Sequence, residues 1–182
     1  MIDIRILQTC CLALLSLFFF RGCDSVSVLG DSHSPDAKLI ANFQSHEKDF
    51  DQLIQMAKED PHVVRIASDF TWLDSDYHWP RPDSQIGFSQ ERWNEYRNMF
   101  SKLGLNGGLA WSWDHSIFLT ASAKGLTISG SEKGYVFSEK PLSPTFDSLD
   151  NMHQEIREGR VKPGLPVYRK IKDGWYLYYE GD

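Results

Sequence analysis

The stretch Leu165–Glu180, LPVYRKIKDGWYLYYE, leaves the backbone little choice. Asp173-Gly174 is a dipeptide that tight hairpin turns select, because a type I′ turn needs positive φ at both central positions. On either side run residues that favour strands, several of them β-branched or aromatic. Side chains alternate across a strand, so Trp175, Leu177 and Tyr179 share one face and Tyr176 and Tyr178 the other. The period of two begins earlier, at Gly108. LAWSWD, SIFLTAS, GLTISG and GYVFS read as short strands, separated by Asp-His-Ser, Ala-Lys-Gly and Ser-Glu-Lys-Gly turns. Strands so closely and evenly spaced predict an antiparallel meander.

The first half follows the helical period. In PDAKLIANFQSHEKDFDQLIQMAKEDP, residues Phe43, Phe50, Leu53, Ile54 and Ala57 fall on one face. Ser45 is positioned as an N-cap, with Glu47 and Asp49 in the first turn where the helix dipole favours acid. Asp60-Pro61 ends the run, since a residue before proline avoids helical dihedrals. The reading is a helix over about 46–59, preceded by a shorter helical piece from 36. SQERWNEYRNMFSKLG predicts a second helix, capped by Ser89, buried through Trp93, Tyr96, Met99, Phe100 and Leu103, and stopped by Gly104. Between the two, HVVRIASDFTWL is β-like, and DSDYHWPRPDSQIG, with its two prolines, reads as a loop. EKPLSPTFDSLDNMHQEIREGRVKPG is an irregular crossing with a short helix around 149–158. The expected fold class is α+β: an antiparallel β-sheet of about 5–7 strands packed by two amphipathic helices, as one domain over 36–182.

Ahead of the domain, an apolar run extends from Ile6 to Phe20. It is shorter than the roughly 20 residues a bilayer-spanning helix needs, and it has the length of a signal-peptide core. Gly22-Cys23 follows at once. A small residue before a Cys, just after such a core, resembles the lipobox of bacterial lipoproteins. That resemblance implies diacylglycerol on the Cys23 thiol, further acylation such as palmitate, and cleavage that removes residues 1–22. Phe20 and Arg21 stand where the pattern has Leu and a small residue. Asp24–Asp36, DSVSVLGDSHSPD, is Ser-rich and reads as a flexible tether, so that 23–35 separates the anchor from the domain. All three cysteines, Cys10, Cys11 and Cys23, precede it. The domain therefore relies on its core, without disulfides. The stretches DFDQLIQMAKED, GSEKGYVFS, DSLD and KIKDGWYLYYEGD together resemble a group of small bacterial lipoproteins. That resemblance implies export and anchoring, and carries no activity.

The formal charge is −6. An acidic chain is poorly suited to nucleic acid and to anionic lipid headgroups, so membrane contact is expected through the lipid on Cys23 alone. Two stretches could carry chemistry. DSDYHWP and WSWDHS each set a His beside an Asp and a Trp. If His78 and His115 met in space, with Asp76 and Asp114 orienting them, they could form a hydrolytic or metal site. The competing reading is two turns, where Asp and His are common. There is no HxH, HExxH or GxSxG pattern. Ser112 sits mid-strand and lacks the exposed elbow of a nucleophilic serine. GLNGG, Gly104–Gly108, lacks the Lys-Ser/Thr of a phosphate loop and reads as a helix stop running into a strand. His33, His46, His62 and His153 read as surface residues. Among the aromatics, Trp111, Trp113 and Trp175 are expected in the core. Trp79, in a polar loop before Pro80, is expected with Tyr77 as an exposed binding aromatic. The function these features imply is a membrane-tethered periplasmic lipoprotein of the cell envelope. It would act as a non-enzymatic protein-interaction or immunity-type module, with an envelope protein as partner and no metal or cofactor. The alternatives are a periplasmic hydrolase or metal-dependent enzyme on the Asp/His loops, and a glycan-binding module.

Overall fold

The computed structural model describes residues 33–126 and 129–182, so the expected signal peptide, Cys23 and most of the tether lie outside the described residues. His33–Asp182 form one compact unit, and the expected domain start at residue 36 falls just inside it.

Helices α1 (Asp36–Ser45) and α2 (Glu47–Glu59) are separated by a single break at His46. The expected N-cap is corrected here. Ser45 closes α1, and its hydroxyl donates to the Ala41 carbonyl at 2.9 Å, leaving His46 at the cap position of α2. Leu39 and Phe43 of α1 are buried with Phe50, Leu53, Ile54, Met56 and Ala57 of α2. Helix α3 (Gln90–Leu103) starts where the Ser89 hydroxyl accepts the Arg92 amide. It ends at Gly104 in the left-handed region, and the Leu105 amide reaches back to Phe100 O at 2.8 Å. This is a Schellman stop, and Leu105 drops into the core beside it.

The strands are β1 (Val63–Ile66), β2 (Thr71–Leu73), β3 (Asp76–His78), β4 (Gly108–Trp111), β5 (Ile117–Leu126), β6 (Ser129–Phe137), β7 (Val167–Lys172) and β8 (Trp175–Gly181), with the short helix α4 (Met152–Arg157) between β6 and β7. They make one antiparallel sheet in the order β3-β2-β1-β4-β5-β6-β8-β7. The α+β class with an antiparallel sheet therefore holds, but eight strands replace the expected 5–7. HVVRIASDFTWL divides into β1 and β2; of the two further differences, the first adds a strand and the second merges the four segments expected after Gly108 into three strands. Residues 76–78, expected as loop, pair with β2 in the register Leu73↔Asp76, Trp72↔Tyr77 and Thr71↔His78. Ala-Lys-Gly and Ser-Glu-Lys-Gly, expected as turns, are instead interior to the long ladder of β5 and β6.

The helices cover one face of the sheet. The core there joins Val63, Ile66, Leu73, Leu109, Ile117, Leu119, Tyr135, Val167, Trp175, Leu177 and Tyr179 to the helical residues above. A second cluster lies on the opposite face, where Val136, Tyr168, Tyr176 and Tyr178 pack with Phe118 and Leu142. The Asp173-Gly174 hairpin and the alternation around it follow the sequence reading, except that only Gly174, at φ 78°, takes the positive φ that a type I′ turn needs at both positions. One sheet edge, β7, is covered by the chain itself. The Tyr168 amide donates to Pro144 O at 3.0 Å, and the Phe146 amide to Tyr168 O at 2.8 Å. The other edge is β3.

Candidate functional site

At the β3 end of the sheet, register and alternation fix which side chains face out. Val63, Ile66 and Leu73 enter the core. Their strand neighbours therefore point away from the helices, and Arg65, Trp72 and Tyr77 line up across β1, β2 and β3. Trp72 is 42% exposed, Tyr77 54% and Trp79 66%. These rings are held in place. The Trp72 indole N–H donates to Asp74 O at 2.9 Å, and its ring meets Tyr77 edge-on at 6.2 Å. Phe70 meets Tyr77 at a tilt with ring centres 6.0 Å apart, and the Arg65 guanidinium lies 5.6 Å from the Phe70 ring centre. The Trp79 indole donates to Asp69 Oδ2 at 3.1 Å. A surface of fixed, half-wet aromatic rings is the composition that protein and ligand interfaces favour, since little side-chain entropy is lost on contact.

Two acidic residues touch the rings, Asp69 through the Trp79 indole and Asp74 through its carbonyl to the Trp72 indole, with the Asp74 carboxylate 2.8 Å from His62 Nδ1. Asp76 and exposed Asp83 lie on the same stretch of chain, Asp76 on the opposite face of β3 from Tyr77. The basic residues nearby are engaged elsewhere. Arg81 is buried, with its guanidinium 4.8 Å from the Phe88 ring centre and 4.9 Å from that of Trp93. Arg65 lies 3.6 Å from Glu132.

The proposed Asp/His constellation does not assemble. His78 ends β3 opposite Thr71, and that row continues through Ile66 to Leu109 on β4. Three interstrand spacings at about 4.8 Å separate the two strands by about 14 Å. Asp114 and His115 lie farther still, in the turn beyond Trp111 at the opposite end of β4. A shared metal, bonded at about 2 Å, is out of reach of both imidazoles. Among the described residues no group of three or more His, Cys, Asp or Glu could hold a metal ion. Each half has a local role. Asp114 Oδ1 accepts the Ser116 amide at 2.9 Å and shapes the turn, in which His115 takes φ 67°. Partial burial alone would raise the Asp114 carboxyl, but that amide and neighbouring hydrogen bonds hold it below the usual carboxylate range. His78 Nε2 lies 2.9 Å from Asp76 Oδ1, at an angle that makes no hydrogen bond.

Other expectations divide. Tyr77 and Trp79 are exposed as expected, and Trp175 is buried. Trp111 is half-buried against the core, whereas Trp113, expected inside, is 93% exposed because β4 ends at Trp111 and the alternation stops with it. His62 and His153 are on the surface. His33 is not a surface tether residue: its ring nitrogens lie 2.6 Å from Ser122 Oγ and 2.7 Å from Ser131 Oγ, with Tyr179 edge-on at 5.5 Å. A His in a Ser-rich stretch gives no sign of this. Trp72 was the missed member of the aromatic surface. Its strand position was legible, but its face depends on a register shift between Val63 and Arg65 that offsets the alternation.

No protein-family model matches this chain, and no curated protein and no solved structure is significantly similar to it.

Proposed function

We propose that the protein is a lipid-anchored module of the bacterial cell envelope that docks another protein through the outer face of β1–β3. The observation that carries this is the row of rigid, exposed rings, Trp72, Tyr77 and Trp79, within a fringe of carboxylates. The N-terminal features support the anchor: the apolar run Ile6–Phe20 suits an export signal, and Gly22-Cys23 suits lipidation of Cys23 with palmitate among its acyl chains. An acidic domain on a tether into the periplasm, 23–35, would then present the aromatic face to an envelope protein, or to an incoming toxin as an immunity protein does. With Asp76 and His78 far from Asp114 and His115, the hydrolase or metal-dependent reading has no assembled site to support it.

The test is in vivo cross-linking from the aromatic face, comparing the unmodified chain with Trp79→Ala. An exposed substitution changes stability within about 0.5 kcal/mol, so the melting curve should be unchanged. Loss of a central aromatic anchor should weaken partner capture by tenfold or more. Capture that survives in Trp79→Ala and in Trp72→Ala would sink the proposal. Co-sedimentation with insoluble peptidoglycan, lost in Trp79→Ala, would instead favour a glycan-binding module that stacks sugars on the same rings.

A further inference from the structure

The same face ends in an uncovered sheet edge. Among the described residues no backbone hydrogen bond outside the ladder reaches Asp76, Tyr77 or His78, in contrast to β7, which residues 144–146 cover. An open edge carries unpaired amides and carbonyls that will pair with an extended chain of suitable side-chain chemistry.

Resting on the docking reading above, we infer that β3 receives an extended, positively charged segment of the partner protein, which adds to the sheet as a ninth strand. Its chemistry follows from what surrounds the edge. The row Arg65–Trp72–Tyr77 runs straight across three strands, so the residue of an added strand opposite Tyr77 continues that row over the outer face. Residues two positions to either side share that face and approach Trp79 in one direction and the Asp74–Asp76 turn in the other. A guanidinium or ammonium group at these alternate positions meets an aromatic face and a carboxylate together. Cation–π attraction and ion pairing then act on the same group. The four local carboxylates, Asp69, Asp74, Asp76 and Asp83, have no exposed arginine or lysine among residues 69–83 to oppose them, since Arg81 is buried. An anionic or apolar strand would leave that charge unanswered. The edge is only three residues long, so backbone pairing supplies few bonds, and selectivity rests on the side chains.

The experiment uses the full-length chain and three capped peptides as probes. These are (RV)3, (RV)3 with its valine amides N-methylated to remove alternate backbone donors, and (EV)3. Fluorescence anisotropy should show saturable binding of (RV)3, at least tenfold weaker for the N-methylated peptide and absent for (EV)3. Tyr77→Ala and Trp79→Ala should each weaken (RV)3 about tenfold, and Trp113→Ala, in the β4–β5 turn three strands away from β3, should leave it unchanged. Equal binding of the methylated peptide, with loss in Tyr77→Ala, would overturn strand addition and leave the docking face standing. Binding insensitive to both aromatic substitutions would count against the docking face as well. No binding of (RV)3 at millimolar concentration would overturn the inference.

Discussion

Replacing Lys133 with methionine is expected to lower the unfolding free energy by about 3–5 kcal/mol, the usual cost of stripping one partner from a buried ion pair. For a domain of this size that lowers the melting midpoint by on the order of 10 °C. Lys133 is 1% exposed and points from β6 into the face that carries the core. Its Nζ lies 2.7 Å from Asp36 Oδ1 and donates to Asp150 Oδ1 at 2.8 Å. Asp36 Oδ2 accepts the Leu149 amide and Arg169 Nη1, each at 2.8 Å, and its own amide donates to Asp150. Four segments thus meet on one pair of charges: the start of α1, β6, β7 and the loop before α4. Methionine fills the volume and leaves the buried carboxylate short of its closest cation. Asp36→Ala should cost a similar amount. The double variant Asp36→Ala/Lys133→Met should cost clearly less than the sum, because neither fully buried charge is then left without the other, and Asp150 and Arg169 can still reach water.

The same network sets an acid limb. Burial alone would push the Asp36 carboxyl up, but Lys133, the Leu149 amide and Arg169 outweigh it and hold the group below the usual carboxylate range. A group whose folded value is depressed stabilises the fold fully above its unfolded value, near pH 4, and loses that contribution as pH falls through the folded value. The melting midpoint should therefore fall below about pH 4, and more shallowly in Asp36→Ala. An unchanged acid limb in that variant would mean other carboxylates govern it.

This network explains why part of the sheet was illegible. Ser-Glu-Lys-Gly looks like a turn because charged and Gly-containing tetrads usually are. Here Lys133 is charged because Asp36 and Asp150 await it. Gly134 is glycine because a Cβ there would sit 2.1 Å from Leu119 O, where β5 bulges between Thr120 and Ser122. Both reasons lie far along the chain, beyond the reach of any local period. The helices were legible because their signals are local: Ser89 and Gly104 mark the ends of α3, and Pro61 the end of α2. Much the same division holds for the candidate site. Tyr77 and Trp79 stood out as aromatics among Asp, His and Pro, where no neighbour offers to bury them. That residues 76–78 form an edge strand was hidden by Pro80 and Pro82, which describe the backbone after β3 and not β3 itself. The Asp/His pairs looked alike in sequence, and only topology assigns one to the edge strand β3 and the other to the β4–β5 turn.

Gly108→Ala is expected to destabilise by about 3 kcal/mol or more, and Gly104→Ala by only about 1 kcal/mol. Both glycines lie in the left-handed region, at φ +75° and +68°. The conformational penalty of a side chain there is about 1–2 kcal/mol for each. What separates them is space. A Cβ on Gly104 meets nothing within 4 Å, whereas one on Gly108 would lie 2.0 Å from Ile66 O and 2.7 Å from Ala67 Cα. Those atoms are backbone and cannot swing aside, so β4 must move away from β1. That pairing consists of Arg65↔Ala110 and Ile66↔Leu109. It also joins the three strands that bear Trp72 and Tyr77 to the rest of the sheet. Faster amide exchange in Gly108→Ala should therefore concentrate in β1, β2 and β4, while the β6–β8 ladder keeps its protection. Binding through the aromatic face should weaken together with that local opening, although no residue of the face has been altered. If Gly108→Ala instead melts and exchanges like Gly104→Ala, the strands have room to separate without cost. The aromatic face would then be carried by a hinged flap and not by a fixed edge, and the rigidity argued for Trp72 and Tyr77 would have to come from their mutual packing alone.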